Sequence, residues 1–533
     1  MQYRIDEWVA RSPSPDIPIP EVALHDFALR CAGDLADKPA LIDGPTGRTL
    51  SYGQLARQVD RVAAGLQRRG LAKGQVVGLC SPNCPEYAIA FLAVARAGGV
   101  ATTISPLATS GELAWQLRDA QARFLVADPA VLDKAHAAAR QAPSLREVFV
   151  FGHGDGATPF DSLLAEETAL EEVDIRPRQD LVALLYSSGT TGLPKGVMLT
   201  HRNLVAEVAQ LEGLLPLAEA DTVLAFLPLY HCYGLGVILL PALRTGATIV
   251  TMPRFDLEEF LALVQRHRVS LGFLVPPVVL ALAKSPLVDR YDLSSLHLAY
   301  SGGAPLDDGL AAACTARIGA PVIQAYGMTE ASGATHWTPM GRNKPGSVGP
   351  GCRNTETKVV DLASGAALAP GQRGEICIRG PQVMRGYLNQ PEATANTVDP
   401  DGWLHTGDVG YTDEEGYVFI VDRVKEIIKY KGYQVAPAEL EALLVSHPAV
   451  ADAAVIGVPD AEAGEAPKAF VVPRGDVSPE ELLEYVAARV APYKKVRRVE
   501  FVAQIPKSAS GKILRRVLVE QDRAQSSARA VAS

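Results

Sequence analysis

With 533 residues, the chain is too long for one compact core, and its length favours about three structural units. A hydrophobic content of 48% is enough to fill two or three cores. The net charge of −9 argues against a nucleic-acid-binding surface, so we expect no nucleic-acid partner.

Cysteine usage and hydropathy predict the cellular setting. The seven cysteines are scattered and form no C-x-x-C pair, which favours reduced thiols over a disulfide framework or a zinc site. The N-terminal M-Q-Y-R-I-D-E-W carries charges where a signal peptide needs its apolar core, and no apolar run approaches the ~18 residues of a membrane helix. We therefore predict a soluble cytoplasmic protein, monomeric or homodimeric, with no membrane insertion.

Helices and strands are expected to alternate in the first part of the chain. After a Pro-rich lead, apolar residues recur at helical spacing from Tyr52 onward. Such β–α–β spacing predicts a largely parallel, doubly wound sheet. The predicted order is helix 52–66, strand 76–79, helix 85–97, strand 100–104, helix 110–122 and strand 123–127.

Residues 181–201 form the most informative stretch. A buried strand at 181–186 leads into six small residues, and Lys195 follows between Pro194 and Gly196. Glycines let backbone N–H groups turn inward, and the hydroxyls and the lysine add donors, which suits the oxygens of a phosphate. The spacing does not fit the Walker pattern, and a flexible connector would not need the lysine. The six residues are Ser187, Ser188, Gly189, Thr190, Thr191 and Gly192.

The stretch Y-S-S-G-T-T-G-L-P-K-G-V resembles the phosphate-binding signature of the adenylate-forming enzymes. That family includes acyl-CoA synthetases, 4-coumarate–CoA ligases, luciferases and peptide-synthetase adenylation domains. Matching motifs cover residues 52–516, nearly the whole chain. The resemblance implies an ATP site in which Thr190, Thr191 and Lys195 hold the β- and γ-phosphates while Mg²⁺ neutralises them.

A second β–α series begins with a strand at 222–227 and continues into L-P-L-Y-H-C-Y-G-L-G. His231 and Tyr233 then lie just past a strand end, where open α/β sheets bind their ligands. A lone histidine is more often structural, but acyl-CoA synthetases have a similar L-P-x-x-H-x-Y stretch beside the acyl pocket. By that resemblance, His231 shapes or gates the acid site and Tyr233 lines its wall. Other implied pocket positions are Val237, Tyr300, Gly303, Ala325, Ala334 and Trp337, the last as a cap.

The stretch V-I-Q-A-Y-G-M-T-E, residues 322–330, ends a predicted strand. On its own, Gly-x-Thr-Glu is also compatible with an ordinary turn, so the functional interpretation depends on the resemblance. In the family, the matching residues bind adenine and the α-phosphate, with Tyr326 stacked on the base and Glu330 helping to hold Mg²⁺. The implied nucleotide contacts are Gln324, Ala325, Tyr326, Gly327 and Thr329.

Beyond residue 340, polar turns separate short alternating strands, which predicts a small β subdomain. It ends in W-L-H-T-G-D-V-G-Y, where Asp408 matches the family's aspartate for the two ribose hydroxyls. Asp422 matches the family hinge, and Arg423 would reach ribose or phosphate. The resemblance implies a large α/β AMP-binding domain at 1–421, a hinge at 422–423 and a small mobile α+β domain at 424–533.

In the C-terminal part the tail P-K-S-A-S-G-K-I-L-R-R is the informative motif. Lysine-rich tails are usually solvated, but this one resembles the P-K-T-x-x-G-K segment whose last lysine drives adenylation. The resemblance therefore implies that role for Lys512. The predicted elements ahead of this basic tail are helix 437–446, strand 449–457, strand 468–473 and helix 479–490.

The stretch K-Y-K-G-Y-Q implies the second half of the reaction. By resemblance, Lys431 and Gly432 contact coenzyme A, while Lys429 and Gln434 act in a thioester-forming arrangement reached by rotation of the small domain. Arg254, in M-P-R-F-D, matches a basic residue that some relatives place near the CoA nucleotide.

Together the motifs predict an enzyme that uses ATP to convert a carboxylic acid into an acyl-AMP and passes the acyl group to coenzyme A. The motif wording is most similar to 4-coumarate–CoA ligases, which favours an aryl or arylacrylic acid such as 4-coumarate or cinnamate. A medium-chain fatty acid remains an alternative substrate, and an amine or a carrier protein remains an alternative acceptor. A nucleotide-binding sensor would be expected to lack Lys195 or Lys512, and both are present. Kinase motifs are absent from the sequence.

Overall fold

The computed structural model describes residues 8–164, 169–187, 194–424, 426–430, 433–460, 463–490, 492–508 and 511–532. The β-strands are β1 (Ala10–Arg11), β2 (Pro39–Asp43), β3 (Thr49–Ser51), β4 (Val76–Cys80), β5 (Val100–Ile104), β6 (Phe124–Ala127), β7 (Glu147–Val150), β8 (Thr158–Pro159), β9 (Leu181–Ser187), β10 (Lys195–Thr200), β11 (Thr222–Ala225), β12 (Thr248–Thr251), β13 (Leu271–Leu274), β14 (Leu298–Ser301), β15 (Val322–Met328), β16 (Gly333–Trp337), β17 (Glu356–Val360), β18 (Gly374–Arg379), β19 (Gly386–Tyr387), β20 (Leu404–Thr412), β21 (Val418–Arg423), β22 (Ile428–Tyr430), β23 (Tyr433–Val435), β24 (Val450–Asp460), β25 (Gly464–Pro473) and β26 (Arg498–Phe501).

The α-helices are α1 (Leu24–Ala28), α2 (Tyr52–Arg68), α3 (Pro85–Arg96), α4 (Ser110–Asp119), α5 (Leu132–Ala139), α6 (His201–Leu211), α7 (Leu240–Thr245), α8 (Leu257–His267), α9 (Pro276–Lys284), α10 (Asp308–Ile318), α11 (Pro391–Ala395), α12 (Pro437–Val445), α13 (Pro479–Ala487) and α14 (Arg515–Ala532). A π-helical segment spans Tyr233–Leu239, and a 3₁₀ turn at Thr329–Ala331 follows β15. None of the helices in the described ranges has both the length and the apolarity needed to cross a bilayer.

Two eight-stranded sheets form the large N-terminal part. Sheet A has the order β19-β10-β9-β5-β4-β6-β7-β8, and sheet B has the order β16-β15-β14-β13-β11-β12-β2-β3. The central strands of each sheet are parallel, and antiparallel strands lie at their edges. This confirms the predicted doubly wound α/β fold. Helix α3 contacts β4 of sheet A and β2 of sheet B and is almost entirely buried, because it lies between the two sheets.

The predicted helices of this part form, with small differences at their ends. A capping box at Ser51 and Gln54 starts α2, which runs two residues beyond the predicted 52–66. The predicted helix 110–122 ends earlier, at Asp119. Gln121 adopts a φ of +49°, in the left-handed region, and so turns the chain toward β6.

Sheet C is the predicted small β subdomain. It is antiparallel with the order β1-β17-β18-β20-β21. Its core contains Val359, Ile376, Ile378 and Val418. The edge strand β1 comes from the N-terminal lead, because Ala10 pairs with Thr357 far along the chain. No local pattern in the sequence indicated that strand.

Sheet D forms the small C-terminal domain, with the order β23-β22-β25-β24 and with β26 parallel to β25. The basic tail, for which no helix or strand was predicted, forms α14 from Arg515 onward. Leu518 of this helix is buried with Ile456 and Phe470 of sheet D. Strand β21 belongs to sheet C and β22 to sheet D. The division at 422–423 into separately moving parts stays a prediction.

Asn83, between β4 and α3, joins the two large sheets. It is 2% exposed. Its Nδ2 donates hydrogen bonds to the carbonyl oxygens of Ala225 (2.8 Å) and Leu227 (2.9 Å), and its Oδ1 accepts one from the N–H of Leu229 (2.8 Å). These backbone groups belong to the segment that leads from β11 to His231.

Replacing Asn83 by leucine is therefore expected to lower the free energy of unfolding by about 3 kcal/mol, because three buried backbone groups lose their partner. Urea denaturation followed by tryptophan fluorescence measures the change. The control is Asn396→Leu at an exposed position after α11, which should leave the midpoint nearly unchanged. Equal midpoints for the two variants would contradict this role for Asn83.

Candidate active site

The predicted phosphate loop lies between β9 and β10, which pair with Lys195 opposite Ser187. The hydroxyl of Ser187 donates a hydrogen bond of 2.8 Å to Oε1 of Glu330, and that of Tyr387 donates one of 3.0 Å to the same oxygen. The amine of Lys195 lies 4.7 Å from the centre of the Tyr387 ring. Both ends of the loop thus approach Glu330. The loop positions Ser188, Gly189, Thr190, Thr191 and Gly192 lie outside the described residues.

Glu330 is a chemically suitable residue for Mg²⁺. It is buried on the 3₁₀ turn after β15, and Mg²⁺ prefers oxygen ligands from one or two carboxylates together with phosphate oxygens. Elsewhere in the described part of the chain, Glu375, Cys377 and His405 lie close enough together to share a metal ion. Their thiol and imidazole are less suited to Mg²⁺ than Glu330.

Asp408 on β20 connects three of the predicted nucleotide residues. The hydroxyl of Tyr326 donates a 2.5 Å hydrogen bond to its Oδ2, and Nε of Arg423 lies 3.0 Å from its Oδ1. Burial raises the pKa of Asp408, while Arg423 and the Tyr326 hydrogen bond act in the opposite direction. Residues taken from three separate motifs therefore meet at one carboxylate.

The other predicted nucleotide residues follow one another along β15 and the turn after it. Oε1 of Gln324 accepts a hydrogen bond of 3.2 Å from the N–H of Leu306 and so fixes the loop that contains Gly303. Gly303 and Gly327 are exposed, and Ala325 is half-buried. The hydroxyl of Thr329 points to Sγ of Cys232 at 3.6 Å, which ties the end of β15 to the segment before the π-helix.

The predicted acyl-pocket residues lie between sheet B and the π-helix. The Tyr233 hydroxyl donates to the carbonyl oxygens of Tyr300 (3.2 Å) and Leu274 (3.3 Å), which fixes its ring against the sheet. The rings of Tyr300 and Trp337 pack at 4.1 Å between centroids. Trp337 is 2% exposed within β16, and its predicted role as a cap of the acyl pocket stays a prediction. Val237 and Ala334 are also buried.

His231 lies half-buried just before the π-helix. Its Nδ1 accepts a hydrogen bond of 3.3 Å from the N–H of Tyr233. Burial lowers the pKa of His231 to about 4, and the nearby amine of Lys512 lowers it further. The imidazole is therefore neutral at pH 7. It can shape or gate the site, but it carries no charge with which to stabilise an anion.

Lys512 reaches from the C-terminal domain into this site. Gly511 has a φ of +79°, and a Cβ there would lie 2.9 Å from Cδ of Pro277, so the loop packs against the start of α9. Burial lowers the pKa of Lys512 to about 8, and the positive charge of Arg423 adds to that effect. The carboxylates that oppose the shift are those of Glu426, Asp408 and Glu330. The amine is thus placed among the nucleotide residues.

The predicted hinge residue Asp422 bonds to both domains. Its Oδ1 accepts from the N–H of Arg423 (2.7 Å), and its Oδ2 accepts from the N–H of Ala438 (3.0 Å) in the first turn of α12. Burial raises the pKa of Asp422 to about 6, with the guanidinium of Arg515 opposing. Asp422 therefore serves as an N-terminal cap for α12 in this arrangement.

Arg515 supports this joint, and sequence reasoning missed it. Its guanidinium forms ion pairs with Glu426 and, at 2.7 Å, with Glu441, and it donates a 3.3 Å hydrogen bond to the carbonyl oxygen of Val455. Burial raises the pKa of Glu441 to about 7, and Arg515 opposes that rise. The only signal was the R-R pair in the tail motif, which is also typical of a solvated surface.

The residues predicted for the second half-reaction are described only in part. Lys429 on β22 is exposed, and its N–H donates to Glu465 at 2.8 Å. It lies opposite Gln434 in the β22–β23 ladder. Arg254 is exposed in the turn after β12. Lys431 and Gly432 lie outside the described residues. The described contacts therefore assemble the set around Lys512, and the roles of the other set stay predictions.

The arrangement is suited to chemistry between anions. Two cations, those of Lys512 and Arg423, lie beside the carboxylates of Asp408 and Glu330 in a largely buried site. Fixed charges are effective there because water does not screen them. The rings of Tyr233, Tyr300 and Trp337, predicted to line the acyl pocket, are largely buried on sheet B and the π-helix.

Comparison with known proteins identifies the family. The sequence profile of the AMP-binding enzyme matches residues 29–388, and that of the AMP-binding enzyme C-terminal domain matches residues 439–512. The chain is 48% identical to 4-coumarate–CoA ligase 5 of Oryza sativa subsp. japonica over 96% of this chain and 97% of that protein. It is 46% identical to the 4-coumarate–CoA ligase of Pinus taeda, with the same coverage of both chains.

Solved structures give the same result. The anthranilate CoA ligase AuaEII in complex with anthranoyl-AMP superposes with a TM-score of 0.87 at 28% identity, over 96% of this chain and 99% of that chain. ATP-bound MatB from Rhodopseudomonas palustris superposes with a TM-score of 0.85 at 32% identity, over 93% and 98%. The resemblance predicted from the motifs is thereby confirmed, and the chain belongs to the AMP-binding enzyme family.

Proposed function

We propose that the protein is an ATP-dependent acid–CoA ligase that converts an arylacrylic acid, such as 4-coumarate or cinnamate, into its coenzyme A thioester. The observation that carries this proposal is the placement of the Lys512 amine beside Asp408, Glu330 and His231. A lysine from the C-terminal domain is enclosed among nucleotide residues of the N-terminal domain. Such a placement has a clear use in joining a carboxylate to the α-phosphate of ATP.

The first half-reaction is the attack of the acid on ATP. The substrate is already ionised at neutral pH, so no general base is needed. One carboxylate oxygen attacks the α-phosphorus, the bond to the bridging oxygen breaks, and pyrophosphate leaves with that electron pair. Lys512 reduces the repulsion between the two anions, Asp408 accepts hydrogen bonds from the ribose, and Lys195 contacts the outer phosphates. Mg²⁺ held by Glu330 would supply further charge neutralisation.

The second half-reaction transfers the acyl group to coenzyme A. The thiol attacks the carbonyl carbon of the acyl-AMP, AMP leaves with the bonding electron pair, and the thiol proton passes to solvent. In the described arrangement Lys512 lies among the nucleotide residues, and we propose that it must leave before the thiol can enter. Rotation about Asp422 would withdraw Lys512 and bring Lys429, Gln434, Lys431 and Gly432 to the site.

The acid is inferred from the pocket and from the relatives. The predicted pocket residues Val237, Ala334, Tyr233 and Trp337 carry apolar or aromatic side chains, which suit an aromatic ring. The most similar curated relatives are named 4-coumarate–CoA ligases, and the structural relatives include a benzoate CoA ligase from Burkholderia xenovorans LB400. These names favour an aromatic acid and coenzyme A as acceptor. We further propose a cytoplasmic location and a monomer or homodimer that needs no nucleic acid.

A panel of acids tests the proposal directly. In an ATP–pyrophosphate exchange assay, cinnamate and hydroxycinnamates should support exchange more strongly than medium-chain alkanoates, because a planar ring suits these side chains better. Adding coenzyme A should produce the thioester, whereas amines should give no amide. If no acid supports pyrophosphate release, the proposal is contradicted. If alkanoates are preferred, the ligase activity stands but the substrate is a fatty acid and not an arylacrylic acid.

Lys512→Ala should separate the two half-reactions. Pyrophosphate exchange should fall by at least about a hundredfold, because the cation that joins the two anions is lost. Thioester formation from supplied acyl-AMP and coenzyme A should change little. The matched control is Lys507→Ala on the same loop, whose amine pairs with Asp452 at 2.6 Å and should affect neither rate strongly. Equal loss of both half-reactions in Lys512→Ala would contradict the separate roles.

The pH dependence should report the state of Lys512. Burial lowers its pKa from 10.5 to about 8, so the ammonium form is present below pH 8 and is lost above it. We expect kcat/KM for ATP in the exchange reaction, which reflects the free enzyme, to decline as the pH rises through about 8. Lys512→Arg, whose charge persists, should be slower but should lack that decline. A flat wild-type profile up to about pH 10 would contradict this assignment.

A further inference from the structure

Glu207 on α6 is a buried carboxyl group that the reaction described above does not use. It is 1% exposed. Its Oε1 accepts a 2.6 Å hydrogen bond from the N–H of Ala334, while its Oε2 is buried without a hydrogen-bond partner in the described part of the chain. Burial raises the pKa of Glu207 well above its usual value, which favours the protonated, uncharged form of the carboxyl group. An unsatisfied buried polar atom is costly, which calls for a partner.

The carboxyl group of Glu207 lies at the acyl pocket. A Cβ added to Gly333 would lie 2.5 Å from Oε1 of Glu207 and 3.2 Å from Cγ2 of Val237. Val237 belongs to the π-helix over the pocket, and Ala334, which donates to Glu207, belongs to its floor. The absence of a side chain at Gly333 therefore leaves room for the Glu207 carboxyl group beside Val237.

A bulge in sheet B places Trp337 on the same face as Ala334. Ala325 of β15 pairs with Trp337, and Gly327 pairs with Ala334, with a register shift between the two pairs. Cross-strand partners share a face, and so do residues two apart on one strand. Tyr300 joins this face because it pairs with Ile323, two residues before Ala325.

Two more polar atoms on this face lack partners. The hydroxyl of Tyr300 and Nε1 of Trp337 are buried without a hydrogen bond in the described residues. Burial raises the pKa of Tyr300 to about 12, and the adjacent Trp337 indole N–H acts against that rise without reaching hydrogen-bond geometry. The thiol of Cys352 is close enough to interact electrostatically with both Tyr300 and Glu207. The side chains of Tyr300 and Glu207 therefore lie in the same region.

We propose that Glu207, Tyr300 and Trp337 form a polar subsite in the acyl pocket that binds an uncharged hydroxyl group on the ring of the acid. The proposal rests on the arylacrylic acid ligase function above. A hydroxyl group both donates and accepts, the indole N–H only donates, and a protonated carboxyl does both. A ring that lacks the hydroxyl leaves these groups unpaired, so the site discriminates against it.

The test compares cinnamate with its 2-, 3- and 4-hydroxy derivatives by kcat/KM in pyrophosphate exchange. The wild-type enzyme should prefer the best hydroxycinnamate over cinnamate by about tenfold or more. Glu207→Met, which keeps the length but not the polarity, should reduce this ratio by about tenfold. Glu207→Gln should retain most of the ratio, since the amide also donates and accepts. Tyr300→Phe should lower it by a smaller factor.

The ratio of the kcat/KM values for two acids, measured on one enzyme preparation, does not depend on the fraction of folded protein. It therefore distinguishes a change in substrate recognition from a change in stability. Glu212→Gln, at the half-buried residue that follows the same helix and pairs with Arg244, is the control and should leave the ratio unchanged. If Glu207→Met lowers kcat/KM equally for cinnamate and for the hydroxycinnamate, the subsite is overturned. It is also overturned if Glu207→Gln reduces the ratio as much as Glu207→Met does. Activation of both acids with a ratio near one would also overturn it while leaving the proposed function intact. If no cinnamate is activated, the proposed function fails and the subsite fails with it.

Discussion

The arrangement of the site depends on one contact, the packing of the Lys512 loop against the N-terminal domain. Gly511 lies against Pro277, and this brings the lysine amine beside Asp408 and Glu330. A buried ammonium group needs counter-charges, because removing an ion from water costs several kcal/mol. The carboxylates of Asp408, Glu330 and Glu426 provide them. Without that packing, the nucleotide residues would remain assembled but would lack the cation that faces the attacking acid.

The joint that holds this contact is polar rather than apolar. Asp422 caps α12, and Arg515 connects Glu426 and Glu441 behind it. Breaking a buried ion pair by removing one partner is costly, but exchanging partners during a rotation is less so, because each charge can find another counter-charge or water. A joint of this kind holds one arrangement firmly and still permits a second. That property suits a reaction in which Lys512 must be present first and absent later.

Local patterns in the sequence predicted the elements, and the motifs predicted which residues meet. Hydrophobic periodicity gave the parallel strands and helices of the first part, and the contact between Tyr326 and Asp408 follows from two motifs 82 residues apart. The pairing of β1 with sheet C, the role of α14 and the link made by Asn83 were not predictable. Each depends on a partner distant in sequence that leaves no local signal. Glu207 likewise looks like an ordinary polar position of an amphipathic helix until α6 is packed.

The two specificities of the proposed reaction belong to different parts of the chain. Tyr233, Tyr300 and Trp337, which we propose face the acid, lie on sheet B and the π-helix, and neither element takes part in the joint at Asp422. Lys512 and Lys429 lie on the C-terminal domain. A rotation about Asp422 would therefore exchange one lysine for the other while the acid stays in an unchanged pocket. Choice of acid is then made once, by the rigid N-terminal domain, whereas the acceptor is admitted only by the arrangement that withdraws Lys512.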